Sequence, residues 1–351
     1  MTAKISGIAT AGFLQLLAML LVLAGSASAQ QVNIYSSRHY ETDERLYAAF
    51  EAQTGIRINR LEGGGDALIA RLQQEGRNSP ADILLTVDAG RLWRAEQAEL
   101  FAPVDSDVLN RRIPDHLRHP EGLWFGYSTR ARLIFFNASL TEHAPPERYE
   151  DLTDPKWRGQ ICVRSSSNIY NLSLMASLIA HHGVAAAEDW ARGVVANFAR
   201  KPQGGDTDQL RAAAAGECAI AIANSYYFLR LVQSDDDSDT AVVNALTPVF
   251  PNQVVQDGQP GRGAHVNVSG AGVLQHAPNR AAAIRFLDYL AGDSAQRYFS
   301  AGNNEFPVVE TVAETEALRE LGDFRVDKLN VSALGRYQPE AQMAFDRAGW
   351  P

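Results

Sequence analysis

The stretch "VNIYSSRHYETDERLYAAFEAQTGIRINRLEG", residues 32–63, determines the fold class. It begins with a short apolar run typical of a strand, and residues 41–54 then follow helical spacing, with Leu46, Tyr47 and Phe50 on one side. Gly55 ends the helix, and "IRINRLEG" has the pattern of a second strand. The order strand, helix, strand predicts a βαβ unit and therefore a parallel sheet.

The alternation continues along the chain and predicts an α/β protein. "DALIARLQQEG", "ADILLTV" and "AGRLWRAEQAEL" form the next helix, strand and helix. The pattern restarts after residue 150, with a strand near residues 161–164, a helix from about Ser167 and the strand "CAIAIA". Two long extended runs, "YSTRARLIFFNAS" and "GAHVNVSGAGVLQ", join these halves. We therefore expect two lobes joined by crossing strands, with a ligand site in the cleft. "NRAAAIRFLDYLAGDSAQRYFS" follows the second run and has the spacing of one amphipathic helix.

The first 29 residues have the pattern of a secretory signal peptide. Lys4 precedes an apolar segment over residues 11–24, and Ala27-Ser28-Ala29 is a small-residue cleavage site. The apolar segment is short for a membrane span, and an uncleaved anchor is the alternative. The predicted organisation is a signal peptide over 1–29, an N-terminal lobe of 30–132 plus 266–302, and a C-terminal lobe of 133–265 plus 303–351. The mature protein is expected in the periplasm, as a monomer.

Charge and cysteine content restrict the function further. The formal net charge of −9 at pH 7 disfavours nucleic acid and anionic lipid as partners. Cys162 and Cys218 are the two cysteines, and two cysteines in an exported protein most often pair. The alternative, a soft thiolate metal site, needs further thiolate or imidazole ligands, and neither another cysteine nor a histidine lies within six residues of Cys162 or Cys218. The acidic run "QSDDDSDT", residues 233–240, lacks the glycine and closing glutamate of a calcium loop and is interpreted as a surface loop.

Several tyrosines follow predicted strands, at the edge where open α/β sheets bind ligands. Tyr40, preceded by His39, follows the first strand. Tyr170 lies eight residues after Cys162, and Tyr226 lies eight residues after Cys218 and beside Tyr227. A disulfide would hold these phenols at about the same depth. A phenol ionises at neutral pH only when a strongly cationic partner stabilises the phenolate. A cluster of tyrosines with one histidine therefore favours Fe³⁺ as the ligand.

Six separated motifs resemble the periplasmic ferric-iron-binding proteins of ABC importers, in their tyrosine-rich group. The motifs are "YSSRHYETDERLY", "SPADILLTVDAGRLWRAE", "WFGYSTRARLIFFN", "RSSSNIYNLSL", "ANSYYFLRL" and "HVNVSGAGV". The resemblance implies a two-lobed Venus-flytrap fold that closes on one iron ion and delivers it to a membrane permease. It also implies Tyr40, Tyr170, Tyr226 and Tyr227 as ligands, with His39 as a variable fifth.

Neighbouring charges and rival functions complete the sequence predictions. Four phenolates and a neutral imidazole leave one negative charge around Fe³⁺. Among Arg38, Arg130 and Arg132, Arg132 is the arginine we expect to balance it, and pairing with carboxylates is the alternative role of these arginines. Fe²⁺ is the alternative cargo.

A receptor for a polyamine, thiamine or an oxyanion on the same fold is the first rival function. An exported hydrolase is the second, and the sequence contains neither Gly-x-Ser-x-Gly nor His-Glu-x-x-His.

Overall fold

A computed structural model describes residues 30–38, 42–255 and 261–351. The predicted signal peptide, His39 and Tyr40 lie outside the described residues. The strands are β1 (Gln31–Ser36), β2 (Arg57–Glu62), β3 (Ile83–Val87), β4 (Phe125–Phe136), β5 (Ile161–Cys162), β6 (Ile220–Asn224), β7 (Thr247–Val249), β8 (Val266–Val273) and β9 (Phe306–Pro307). The helices are α1 (Asp43–Thr54), α2 (Gly65–Glu75), α3 (Ala89–Gln97), α4 (Asp107–Arg112), α5 (Ile169–His182), α6 (Val184–Ala196), α7 (Asp206–Ala214), α8 (Ser225–Val232), α9 (Asp237–Ala245), α10 (Arg280–Leu290), α11 (Asp293–Asn303), α12 (Glu316–Glu320), α13 (Ser332–Arg336) and α14 (Gln338–Ala348).

The strand order is β2-β1-β3-β8-β4-β6-β5, with β7 and β9 added against β4. Strand β1 pairs in parallel with β2 and β3, so the βαβ opening predicted from residues 32–63 is confirmed. Strands β5 and β6 are also parallel neighbours. The fold class is therefore α/β, as predicted.

The two long extended runs are strands β4 and β8, and they connect the halves of the molecule. Residues 125–131 of β4 pair antiparallel with β8, and residues 132–136 pair with β6. In β8, Val266 packs into one hydrophobic core and Val268 into another. The prediction of crossing strands between two lobes is confirmed.

Separate hydrophobic cores define the lobes. The first lobe is built around Val32, Phe50, Leu92 and Phe286. The second lobe contains two clusters, one around Trp157 and Met175 and the other around Phe135 and Phe228. Near the end of the chain, Leu334 of α13 packs into the first core and Phe345 of α14 into the second. The lobe boundaries given above stay a prediction.

The structure corrects two local predictions. The run 279–300 is not one helix, because Gly292 begins α11 in an extended conformation with φ −75° and ψ 154°. The acidic run 233–240 is only partly a loop. Its Asp236 caps α9 by accepting a hydrogen bond from the backbone N–H of Ser238 at 2.8 Å, because a carboxylate at this position satisfies a helix N–H group.

Candidate iron site between the lobes

Two neighbouring strands deliver three tyrosines to one place. Parallel strands β5 and β6 end at the same edge of the sheet, and a helix begins after each. Tyr170 is the second residue of α5, whose start is capped by the Asn168 side chain, an acceptor for the Tyr170 N–H at 3.1 Å. Tyr226 and Tyr227 are the second and third residues of α8. The sequence predicted the strand ends and a helix from about Ser167, but not helix α8.

The three phenol rings form one cluster. The hydroxyl oxygens of Tyr170 and Tyr226 lie 3.2 Å apart. The ring centroids of Tyr226 and Tyr227 are 4.3 Å apart. Tyr226 is buried, whereas Tyr170 and Tyr227 are half-buried. All three start from the first turn of a helix, where the positive end of the helix dipole stabilises an anionic oxygen.

The predicted disulfide is confirmed, and it lies below this cluster. Cys162 and Cys218 are bonded, with their Cα atoms 5.9 Å apart. Cys162 is the last residue of β5 and pairs in register with Ala221 of β6. The disulfide therefore fastens β5 to the segment that leads into β6, and the helices that follow these two strands carry the tyrosines.

Burial keeps Tyr170 protonated before any cation binds. Desolvation and the neighbouring Tyr227 raise the pKa of Tyr170 to about 12, although Arg130 and the hydrogen bond with Tyr226 lower it. At neutral pH a cation that binds this phenolate must displace a proton.

Guanidinium groups surround the rings. The guanidinium carbons of Arg130, Arg132 and Arg164 lie 5.9, 5.8 and 5.6 Å from the centroid of the Tyr170 ring. That of Arg230 lies 5.0 Å from the centroid of Tyr226. This environment favours anionic oxygens and disfavours a cationic organic ligand.

The two arginines of β4 have different partners. Arg132 donates to Asp206 at 2.7 Å and also to the side-chain oxygens of Asn171 and Asn224. Its charge is therefore neutralised by a buried carboxylate. Arg130 is 2% exposed and donates from Nη1 to Ser269 at 3.2 Å, while its buried Nη2 has no hydrogen-bond partner among the described residues.

Arg130 remains charged in this setting. Burial lowers its pKa, but Glu305 and Asp88, together with the nearby tyrosines, raise it above the ordinary value. Sequence reasoning preferred Arg132 as the balancing charge, and its role and that of Arg130 at a bound ion stay predictions. The sequence did contain a signal that both arginines are buried and paired. Arg130 and Arg132 are two residues apart in an apolar strand, so they lie on the same face and need buried partners.

The first lobe contributes a buried ion-pair network beside residues 39–41. Arg38 is 1% exposed and pairs with Asp43 at 3.2 Å and with Glu305 at 2.8 Å. Ser128 of β4 also donates to Glu305. Arg38 and Asp43 are therefore held together although four residues separate them in the sequence.

Two histidines at the end of α5 are paired with carboxylates outside the tyrosine cluster. His181 and His182 make side-chain hydrogen bonds with Asp327 at 2.7 Å and Glu150 at 2.9 Å, which is typical of structural histidines. Across the described ranges, no group of three or more His, Cys, Asp or Glu side chains is placed to hold a metal ion. In the same ranges, no helix is both long enough and apolar enough to cross a membrane.

The two lobes, the crossing strands and the cluster of polar side chains beyond the ends of β5 and β6 together define a solute-binding protein. The family model described as bacterial extracellular solute-binding protein matches residues 78–326. The chain belongs to this family, which is one of transport proteins and not of enzymes.

Its relatives include iron proteins. Iron uptake protein A2 of Synechocystis sp. is 54% identical over 325 residues, covering 93% of this chain and 91% of the relative. The Trichodesmium protein IdiA, or FutA, solved in complex with iron and citrate ligands, is 51% identical with a TM-score of 0.88, covering 92% of this chain and all of that one. The ferric binding protein from Campylobacter jejuni is 37% identical with a TM-score of 0.83, covering 91% and 100%. The resemblance seen in the six motifs is therefore confirmed.

Proposed function

We propose that this protein binds Fe³⁺ in the cleft between its lobes and carries it to the permease of an ABC importer. The observation that supports this most directly is the cluster of Tyr170, Tyr226 and Tyr227, with two hydroxyl oxygens 3.2 Å apart among guanidinium groups. Hard phenolate oxygens suit a trivalent ion. The relatives named above are iron uptake and ferric-binding proteins, which favours the same cargo.

The proposed ligands are Tyr40, Tyr170, Tyr226 and Tyr227, with His39 as the fifth. Tyr40 and His39 follow β1 of the first lobe, whereas the other three belong to the second lobe. Each lobe then supplies an incomplete set of ligands, so Fe³⁺ binds the closed form better than the open form and shifts the protein toward closure. Closure is the signal that the permease recognises.

Arg130 and Arg132 have distinct roles in this proposal. Arg132 is occupied by Asp206 and holds the second lobe together. Arg130 lies beside the Tyr170 ring and faces Fe³⁺ ligands that carry excess negative charge. Its positive charge therefore balances the excess negative charge of the phenolates.

The protein acts in the periplasm after cleavage behind Ala29, as a monomer, and has no enzymatic activity. The lobes divide as 30–132 plus 266–302 and 133–265 plus 303–351. A polyamine or thiamine receptor is disfavoured, because the guanidinium groups repel these cations and neither ligand displaces the phenol protons to form compensating phenolates, as Fe³⁺ does. An oxyanion receptor is the remaining rival.

Titration of the mature protein with ferric citrate tests the proposal. Iron–phenolate bonds give a visible absorption band, and Tyr226→Phe is expected to remove most of it and to weaken iron binding about a hundredfold or more. Tyr298→Phe is the matched control, since Tyr298 is a half-buried tyrosine at the edge of the first-lobe core. A colourless wild-type protein, or one that binds citrate or phosphate equally well without iron, contradicts the proposal.

A further inference from the structure

Asp88, between β3 and α3, has an unusual backbone conformation. Its φ of 79° and ψ of 126° lie in a region that non-glycine residues rarely occupy. The residue is fully buried. A strained residue of this kind persists only when its surroundings hold it, and such residues concentrate at functional sites.

The carboxylate of Asp88 is fixed by three donors. Its Oδ1 accepts the N–H of Gly90 at 2.9 Å, which caps helix α3. Its Oδ2 accepts from the Asn267 side chain on the crossing strand β8, also at 2.9 Å. The hydroxyl of Ser173 on α5 donates to Oδ1 at 2.7 Å.

The bond to Ser173 connects the two lobes. Ala89 and Leu92, which follow Asp88, pack into the first-lobe core, whereas Leu172 and Leu174, which flank Ser173, pack into the second. Both Asp88 and Ser173 are fully buried. Helix capping needs only one of the three bonds, so the other two call for a different explanation.

Ser173 is also placed to act on the tyrosine cluster. It lies three residues after Tyr170, so both side chains are on the same face of α5. A bond that fixes Ser173 against the first lobe also fixes the first turn of α5, where Tyr170 begins. The adjacent charge of Arg130 is held in the same region, since Asp88 contributes to its electrostatic environment.

We propose that Asp88 and Ser173 are a positioning pair that sets the first turn of α5, and with it Tyr170, against the first lobe. This inference rests on the proposed iron-binding function. The pair stabilises the arrangement of the lobes in which this bond is seen, and neither residue is one of the proposed metal ligands. Asn267 is the third member, because it anchors Asp88 to the crossing strand.

Ser173→Ala tests the pair without disrupting the cap. Asp88 keeps its bonds to Gly90 and Asn267 in this variant, so the protein is expected to fold. Ser177→Ala is the matched control, since Ser177 is a buried serine one turn further along α5 whose hydroxyl donates only within the helix, to Leu174 O at 2.7 Å. Iron affinity from competition with citrate, small-angle scattering of the iron-free protein and urea unfolding are measured for both.

We expect Ser173→Ala to weaken iron binding about tenfold relative to Ser177→Ala, because one hydrogen bond to a charged acceptor is lost. We also expect a larger radius of gyration without iron. Equal affinities and equal radii in the two variants overturn the inference. If the wild type binds no iron, the proposed function fails, and the scattering of the iron-free variants alone decides whether the pair holds the lobes together.

Discussion

The hydroxyl oxygens of Tyr170 and Tyr226 lie 3.2 Å apart although 56 residues separate them, the same separation as between the bonded Cys162 and Cys218. The equality has a structural cause. Each cysteine lies in or next to one of two parallel strands, and each tyrosine lies in the first turn of the helix that follows. The disulfide and the strand register therefore bring the phenols together before any ligand arrives.

Iron affinity is expected to rise with pH between 5 and 8. The pKa of Tyr170 is raised to about 12, so this phenol is protonated over the whole range and releases a proton when it binds iron. Each proton released adds about tenfold in apparent affinity per pH unit. Citrate competition at several pH values measures the slope, and Tyr170→Phe is expected to reduce it by about one proton.

The control for this experiment is Tyr298→Phe, which is expected to leave the slope unchanged. The measurement separates phenolate ligation from other modes of binding. An affinity that does not depend on pH between 5 and 8 rules out the proposed ligands, and an unchanged slope in Tyr170→Phe removes Tyr170 from the set.

Arg130→Gln and Arg132→Gln are expected to have different effects. Arg132→Gln removes one of the two arginines that pair with the buried Asp206 and leaves Arg164 at 3.3 Å, so it lowers the free energy of unfolding by about 1.5–3 kcal/mol. Arg130 makes no salt bridge among the described residues, so Arg130→Gln costs less stability. It removes a cation beside Tyr170 and is expected to weaken iron binding about tenfold or more.

Urea unfolding and iron titration on both variants check this prediction. Arg71→Gln is a suitable control, because Arg71 is an exposed arginine on α2 that pairs with Glu75. A larger loss of iron affinity in Arg132→Gln than in Arg130→Gln, at equal stability, would assign the balancing charge to Arg132 instead.

Replacing both cysteines by serine is expected to lower the free energy of unfolding by roughly 4 kcal/mol, as the chain-entropy model gives for a loop of this length. Iron binding is expected to change less than fivefold, because the register of Ile161 with Ile220 also positions the two strands. Urea unfolding with and without reductant measures the first effect. A reductant effect that persists in the serine variant would show that the disulfide is not its cause.

The sequence was sufficient for the fold because its signals are local and repeated. Apolar runs and helical spacing give the βαβ order, and Gly55 ends α1 in a left-handed conformation with φ 70°. The long runs that became β4 and β8 were recognisable by length alone. The break at Gly292 was missed because the apolar spacing continues on both sides of it.

Only part of the candidate site could be predicted from the sequence. The offsets from the cysteines predicted that Tyr170 and Tyr226 would meet, and the structure confirms it. The partners of Arg130 and Arg132 could not be predicted, because Asp206, Glu305 and Ser269 are distant in sequence. The same holds for Asp88, whose unusual φ depends on Asn267 and Ser173.

Mild acid is expected to destabilise the protein through His265. Burial lowers the pKa of this histidine to about 3, although Asp327 raises it. The folded state therefore favours the neutral ring. The stability that depends on this neutral ring is fully present above pH 6.5 and is lost as the pH falls from 6.5 toward 3. The loss from this group between pH 7 and 5 is about 2 kcal/mol. Urea unfolding at the two pH values is expected to show a smaller difference in His265→Gln, whereas the exposed His276→Gln should behave like the wild type.

Gly335 of α13 allows a close contact with the first lobe, and Gly335→Ala is expected to break it. A Cβ atom at this position would lie 2.1 Å from the Cβ of Trp93 on α3, so one of the two helices must shift. Overpacking of this kind costs about 1–3 kcal/mol of unfolding free energy. Gly64→Ala is the control, because its Cβ would meet nothing within 4 Å and its φ of −63° suits alanine. Thermal and urea unfolding compare the two variants, and equal stability would mean that α13 moves away from α3 at no cost.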